Sequence, residues 1–371
     1  MLQPTAPMDV VNHLSDEQAA LHTLLLALVE AGGSDLHLTP GAPPTIRIHG
    51  RLRHLPDYEP LTPTDSAMLI RAAVTPKQWE QFERDNELDF AYSIEGVSRY
   101  RVNIYTQRGT RCGAFRAIPH NVRAIAELDL PPAVATFAAL HRGLVLVTGP
   151  TGSGKTTTLA SILDLANRTR SAHIITIEDP IEFLHQHRRC LVNQREVGSD
   201  TGSFALALRQ ALRQDPDIIL VGELRDLETT STALTAAETG HLVLATLHTQ
   251  SAAQTIDRMI DIFPAHQQSE VRAQLSMTLQ GVVTQSLCPR ADGAGRTVIT
   301  EIMTGTPAIR NLIRAGKSHQ IPSFLQAGGN DGMISFDQHL AERVQAQLVT
   351  FEQALDVCHS PEEFTRLAGR K

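Results

Sequence analysis

Residues 149–156 read Gly-Pro-Thr-Gly-Ser-Gly-Lys-Thr, between an apolar run at Leu144 to Val147 and a stretch with helical spacing. The string fits G-x-x-x-x-G-K-[ST], the spacing of a loop that cradles phosphates. Gly149, Gly152 and Gly154 let the backbone curl without Cβ clashes, so that N–H groups and the positive end of the following helix point at an anion. Lys155 then supplies a point charge to the β and γ phosphates, and the Thr156 hydroxyl is placed to ligate Mg²⁺. We expect ATP with Mg²⁺, contacted by Gly149, Pro150, Thr151, Gly152, Ser153, Gly154, Lys155, Thr156 and Thr157.

Outward from this loop, short apolar runs alternate with helical stretches: Leu144 to Val147, Ile174 to Ile177, Ile218 to Val221 and Leu242 to Leu247. Strands apolar on both faces and separated by helices predict an α/β fold with a parallel sheet covered on both sides, over residues 143–305. The run at 218–221 ends in Gly222-Glu223, which puts a carboxylate beside the phosphate loop. Glu223 is placed to orient or deprotonate the attacking water, directly or through the metal. IEDPIE at 177–182 puts Glu178, Asp179 and Glu182 after another strand; Glu182 is the foremost candidate for the metal or water, with helix capping as the alternative. Two histidines bracket the fourth run. His248, at its carboxyl end, is placed to sense a γ-phosphate or the catalytic glutamate, while His241 reads almost equally as a satisfied core residue.

Residues 1–15 read as a loose tail. Ser15 with Gln18 forms a capping box for a helix carrying Leu21, Leu24, Leu25 and Leu28, and period-two patterns follow, so 16–117 is expected to be a small α+β domain. Prolines at 119, 131 and 132 mark a linker over 118–142, and helical spacing resumes over 306–371. Between Arg99 and Arg123 stand six arginines and no acid. If Arg108-Gly109 is a two-residue hairpin loop, Arg101 faces Arg116, a like-charge pair that costs up to about 1 kcal/mol. Something anionic should offset it. Either this is a solvated basic face, or the small domain delivers arginines to the triphosphate of a neighbouring subunit.

Composition narrows the partners. The 371 residues carry 33 Lys+Arg against 40 Asp+Glu, a net charge of -7, with 4% aromatic residues, which argues against nucleic acid. The four cysteines lie far apart and make no thiolate metal site. No run approaches the roughly 20 apolar residues of a membrane span, and no signal peptide opens the chain, so a cytoplasmic protein is expected.

SDLHL at 34–38, GAPPTIRIHGRL at 41–52, RYRVN at 99–103, the phosphate loop, IEDPIEF, DPDIILVGELRD at 215–226 and TGHLVLATLHT at 239–249 together resemble the secretion-type ATPases. Within them, AIRNLIR at 308–314 is similar to the signature of the PilT family of type IV pilus retraction motors. The resemblance implies a RecA-like ATPase domain preceded by a PAS-like domain and assembled as a homo-hexamer. It implies catalytic roles for Glu223, Glu182, His241 and His248, with Arg101 and Arg116 acting in trans. The implied partners are an inner-membrane pilus platform protein, the pilus machinery and a sister motor ATPase, with the ring peripheral at the inner face of the cytoplasmic membrane. Accessory retraction motors and pilus-assembly or type II secretion ATPases are the alternatives within the superfamily. A nucleotide-gated switch is the alternative outside it.

Read by its own residues, AIRNLIR is an amphipathic turn that buries Ile309, Leu312 and Ile313. Arg310 and Arg314 are expected on one exposed edge, against an acidic partner or solvent.

Overall fold

The computed structural model describes residues 15–48, 50–118, 122–293 and 295–369. The chain divides after residue 120 into two units.

In the first unit Ser15 caps helix α1 (Asp16–Glu30): its hydroxyl accepts from the Gln18 amide while the Gln18 side chain takes the Ser15 N–H. This satisfies two of the amides that every helix start leaves open. Leu21, Leu24, Leu25 and Leu28 are all buried. They cover a sheet built from β1 (Asp35–Leu38), β2 (Thr45–Ile48), β3 (Arg51–His54), β4 (Glu87–Ile94), β5 (Ser98–Gln107) and β6 (Thr110–Ile118). Helices α2 (Pro63–Ala73) and α3 (Pro76–Asp85) lie between β3 and β4 in sequence. The strand order is β3-β2-β1-β6-β5-β4, antiparallel throughout. Leu36 and Leu38 go to the core with Val102, Ile104 and Phe115, and strand alternation sends Asp35 and His37 to the opposite face. Arg108 and Gly109 both take positive φ, as a tight hairpin turn requires, and the register that follows sets Arg101 directly opposite Arg116.

The second unit opens with a segment that the prolines suggest is a linker. From Ile125 onward it is built in: Ile125, Leu130, Val134 of the short helix α4 (Ala133–Thr136), and Phe137 are buried under the sheet. The strands are β7 (Gly143–Thr148), β8 (His173–Glu178), β9 (Leu191–Glu196), β10 (Ile218–Val221), β11 (Leu242–Leu247), β12 (Leu279–Pro289) and β13 (Arg296–Thr304). They are ordered β13-β12-β7-β11-β10-β8-β9, parallel except for the antiparallel edge β13. The helices interleaved with them are α5 (Lys155–Thr169), α6 (Phe204–Ala211), α7 (Leu227–Glu238), α8 (Ala252–Asp261) and α9 (Gln268–Thr278).

The four apolar runs became the four central strands, with two buried cores on the two sheet faces. The apolar-run reading did not reveal β9, β12 and β13. β9 is an edge strand with exposed Leu191 and Asn193. β12 carries Thr284 and Gln285 into the interior, where each finds a polar partner on the far side of the sequence. Helices α10 (Pro307–Arg314), α11 (Ile321–Ala327), α12 (Phe336–Gln345), α13 (Phe351–Leu355) and α14 (Pro361–Leu367) complete the chain. They share cores with the sheet: Ile309 and Leu312 join the helix-covered face, and Phe336, Leu340 and Phe364 close over Cys288 and Ile299 of β12 and β13.

Candidate nucleotide site

Strand β7 is fixed at its carboxyl end by Thr148, whose hydroxyl lies 2.9 Å from that of Thr284 on β12. The next residue has to be glycine. Gly149 takes φ +139°, and a Cβ there would sit 2.2 Å from the Gln285 carbonyl oxygen and 2.7 Å from Ser153 Oγ. The Gln285 side chain crosses over and donates to the Ser153 carbonyl at 2.7 Å, bracing the loop from β12. Gly154, with φ +89°, turns the chain into α5. The first amides of α5 thus end at the concave side of the loop, an anion cradle. Lys155 Nζ donates to the Gly149 and Pro150 carbonyls at 2.8 and 3.0 Å. Burial lowers its pKa, with the nearby charges of Glu223 and Glu182 working against that fall.

Thr151, Gly152, Lys155 and Thr156 form one wall of a cavity of about 210 Å³, faced by Glu182, Glu223, Arg225 and His248. Glu223 is held at the end of β10 by its neighbours' backbones: Gly222 N–H donates to the Ile177 carbonyl and Leu224 N–H to that of Thr246. Its carboxylate is committed on both oxygens, to Arg225 at 2.7 Å and to His248 Nε2 at 3.2 Å. The carboxylate is 18% exposed and the Arg225 side chain 72%. Burial pushes the Glu223 carboxyl up, but the hydrogen bond from Arg225 and the charge of His248 outweigh it, leaving the group below the usual glutamate range.

Glu178 is different in kind. It is buried and takes hydrogen bonds from Thr176 at 2.6 Å and Gln194 at 3.1 Å, and burial raises its pKa. Glu182 is exposed in irregular chain and caps no helix among the described residues; the next helix, α6, is capped by Ser203. His185 also lines the cavity, pushed down to about 4 by burial.

Lys155, Thr156, Glu182, Glu223 and His248, scattered over almost a hundred residues, therefore meet in one cavity. His241 does not join them. It precedes β11 while His248 follows it, so the six-residue strand separates the two by roughly 20 Å. Its Nδ1 lies 3.0 Å from the Ala236 carbonyl at the end of α7. Gly154 and Thr157 face a second cavity, of about 570 Å³, with Arg123, Gln285, Leu287 and Arg296. Sequence reasoning missed Arg225, His185 and this second cavity. Arg225 had a signal: it stands two residues past Glu223, and an extended segment points such residues the same way.

An oxygen-rich set of one hydroxyl and two carboxylates beside an anion cradle suits a hard cation such as Mg²⁺, which takes few protein ligands and completes its shell with water and phosphate. Thr156, Glu182 and Glu223 all line the cavity, and Glu223 meets that requirement once its carboxylate gives up Arg225 or His248.

In the first unit, the predicted confrontation of Arg101 and Arg116 has its counter-charge. Asp35, 81 residues before Arg116, pairs with it across β1 and β6, and its Oδ1 accepts from Arg116 Nε at 2.8 Å. Arg111 likewise meets Glu83 at 3.6 Å. The stretch without acids in sequence is thus not without acids in space.

The expectation for AIRNLIR needs correction. Arg310 is not on an exposed edge; it is half-buried and donates to the carbonyls of Gly305, Ser276 and Met277 and to Gln280 Oε1, at 2.6 to 3.1 Å. The last turn of α9 leaves carbonyls without helical partners, and a guanidinium reaching across from α10 satisfies them. Arg314 alone stays exposed.

A mainly parallel sheet with helices on both faces, a glycine-lysine loop after β7 and a carboxylate at the same edge after β10, two strands away, define a P-loop ATPase. The family model described as type II/IV secretion system protein matches residues 125–354. The chain is 50% identical over 92% of its length, and 98% of the relative's, to the type IV pilus retraction ATPase PilT of Pseudomonas aeruginosa. It is 41% identical, over 90% of its length and 87% of the relative's, to the type IV pilus ATPase PilU of the same organism. A crystal structure of the pilus retraction motor PilT with bound ADP matches it with a TM-score of 0.86 at 45% identity, covering 95% of this chain and all of that one. This chain belongs to the type II/IV secretion system family, in its PilT branch, and is an ATPase.

Proposed function

We propose that the chain is the subunit of a homo-hexameric motor that spends ATP to retract type IV pili, driving twitching motility. The observation that carries this reading is the single cavity in which the Lys155 loop meets Glu223, Glu182 and His248. A binding module that only switches shape has no use for a carboxylate in the same cavity as the phosphate loop. The higher identity to PilT than to PilU favours the principal over the accessory motor.

In this reading the amides of the loop and Lys155 bind the β and γ phosphates. The base and ribose occupy the cavity beyond Thr157, bounded by Arg123, Gln285 and Leu287. Bound Mg²⁺ would be held by Thr156 with Glu182 and Glu223 and would supply positive charge beside the phosphates. Glu223 orients and deprotonates the attacking water after releasing Arg225, and His248 reports the γ-phosphate to that carboxylate. Arg101 and Arg116 of one subunit stabilise the charge on the triphosphate of the next. A role for His241 is played toward a neighbouring subunit, not in its own cavity. Opening and closing of these interfaces around the ring delivers force to an inner-membrane platform protein, with the ring peripheral at the inner face of the cytoplasmic membrane and working beside a sister motor.

Deletion in the source bacterium tests the proposal. Hyperpiliated cells that no longer twitch, restored by the wild-type chain and not by Lys155→Ala, are expected. Bald cells would identify an assembly motor instead, and purified protein that binds ATP without releasing phosphate would identify a switch.

A further inference from the structure

We propose that Asp35 is a positioning residue for hydrolysis, whose carboxylate presents Arg116 to the phosphates of the neighbouring subunit. The inference rests on the trans-arginine reading above and deepens it.

The face of the first sheet opposite its core carries one row of directly paired residues, Arg47, Asp35, Arg116 and Arg101, across β2, β1, β6 and β5. Three cations therefore line up with one anion. Asp35 is nearly buried, with its side chain 9% exposed, while Arg116 is 67% exposed. The fixed partner is the carboxylate, and the guanidinium is the arm it holds.

The geometry of the hold matters. Asp35 Oδ1 accepts from Arg116 Nε at 2.8 Å. Its Oδ2 takes the Ser34 hydroxyl at 2.7 Å, with Arg47 Nε 3.8 Å away. Engagement through Nε occupies one edge of the Arg116 guanidinium and leaves the opposite edge, with its terminal amino group, open to a phosphate. Arg101, across from Arg116, has no acidic partner among the described residues and is exposed. The two arginines are therefore not equivalent: one is held by a carboxylate in advance, the other has no such hold among the described residues. Holding a long side chain before its ligand arrives removes an ordering cost from the binding step, which is how outer residues behind a contact group raise its effect.

The test compares ATP turnover of the assembled protein for Arg116→Ala, Asp35→Ala and the double variant, with Asp35→Asn as a milder change that keeps an acceptor oxygen. Arg116→Ala should lower kcat by tenfold or more, given that arginines placed on transferring phosphates contribute about 10³ or more. Asp35→Ala should lower kcat by about 10-fold, on the scale known for residues behind a contact group. The double variant should turn over like Arg116→Ala alone, and Asp35→Asn should fall between wild type and Asp35→Ala. In the isolated subunit, where no neighbour's arginine reaches the phosphates, binding of a fluorescent ATP analogue should be unchanged throughout, and the circular dichroism spectrum should match wild type, which loss of fold in the first unit would not allow.

If Arg116→Ala is impaired while Asp35→Ala turns over like wild type, or if the two losses multiply in the double variant, the positioning role is overturned and the trans arginines survive. If Arg116→Ala itself turns over normally, the trans reading fails and this inference with it.

Discussion

Gly149→Ala puts the phosphate loop to a quantitative test. The added methyl would meet the Gln285 carbonyl oxygen at 2.2 Å and Ser153 Oγ at 2.7 Å. The first atom belongs to a strand bonded on both sides, since β12 pairs with β7 and with β13. β12 cannot retreat, so the loop must lift by about 1 Å to restore van der Waals contact, against a backbone angle that already disfavours alanine. Misplacement of a binding group by about 1 Å costs on the order of 10²-fold. Gly152 provides the internal control, because a methyl there meets no atom within 4 Å and only its φ of +78° is strained. That strain is worth about 1–2 kcal/mol, or roughly 5- to 30-fold. Titration of a fluorescent ATP analogue should therefore weaken by about 10² for Gly149→Ala and by clearly less for Gly152→Ala. If Gly149→Ala binds within twofold of wild type, or the order of the two is reversed, the close approach of β12 does not shape the loop.

Glu223→Gln should retain ATP binding and lose turnover by about 10² or more, the scale of a positioned base, in a phosphate-release assay; wild-type turnover would remove the base from Glu223. Arg310→Ala removes four hydrogen bonds, two of them to the last turn of α9, and should cost about 2–3 kcal/mol in urea unfolding, while Arg314→Ala, on the exposed side of the same helix, should cost less than about 1. Equal effects would return Arg310 to the surface role read from the sequence. Stability should also fall on acidification. Burial, aided by Arg343, holds the His339 imidazole down to about 3, so the folded chain refuses a proton that the unfolded chain takes up near pH 6.5. The contribution is complete above about pH 6.5 and is lost as pH falls toward 3, amounting to about 2 kcal/mol at pH 5. Comparing wild type with His339→Gln at pH 7 and pH 5 isolates it, since the other buried groups cancel; an unchanged pH difference would refute it.

How much of this was legible beforehand follows the distance between partners along the chain. The phosphate loop, the four central strands and the Arg108-Gly109 hairpin are local, and each could be read from spacing alone. Glu223 and His248 could be read too, because strand ends in a parallel sheet share one edge with the loop. The misreadings share a different origin. Arg310 looked like a surface charge because three of its four acceptors lie about thirty residues earlier, and Arg116 looked uncompensated because Asp35 lies 81 residues before it.

The sequence by itself determined that a nucleotide is bound and which residue types are candidates to cleave it, because glycine, lysine and carboxylate chemistry acts over a few neighbouring residues. Tertiary structure alone decided that β12 braces the loop through Gln285, that Glu223 starts with both oxygens occupied, and that Asp35 holds Arg116. Strand pairing brings those atoms together, and alternation along one segment does not reveal which segment will lie beside it.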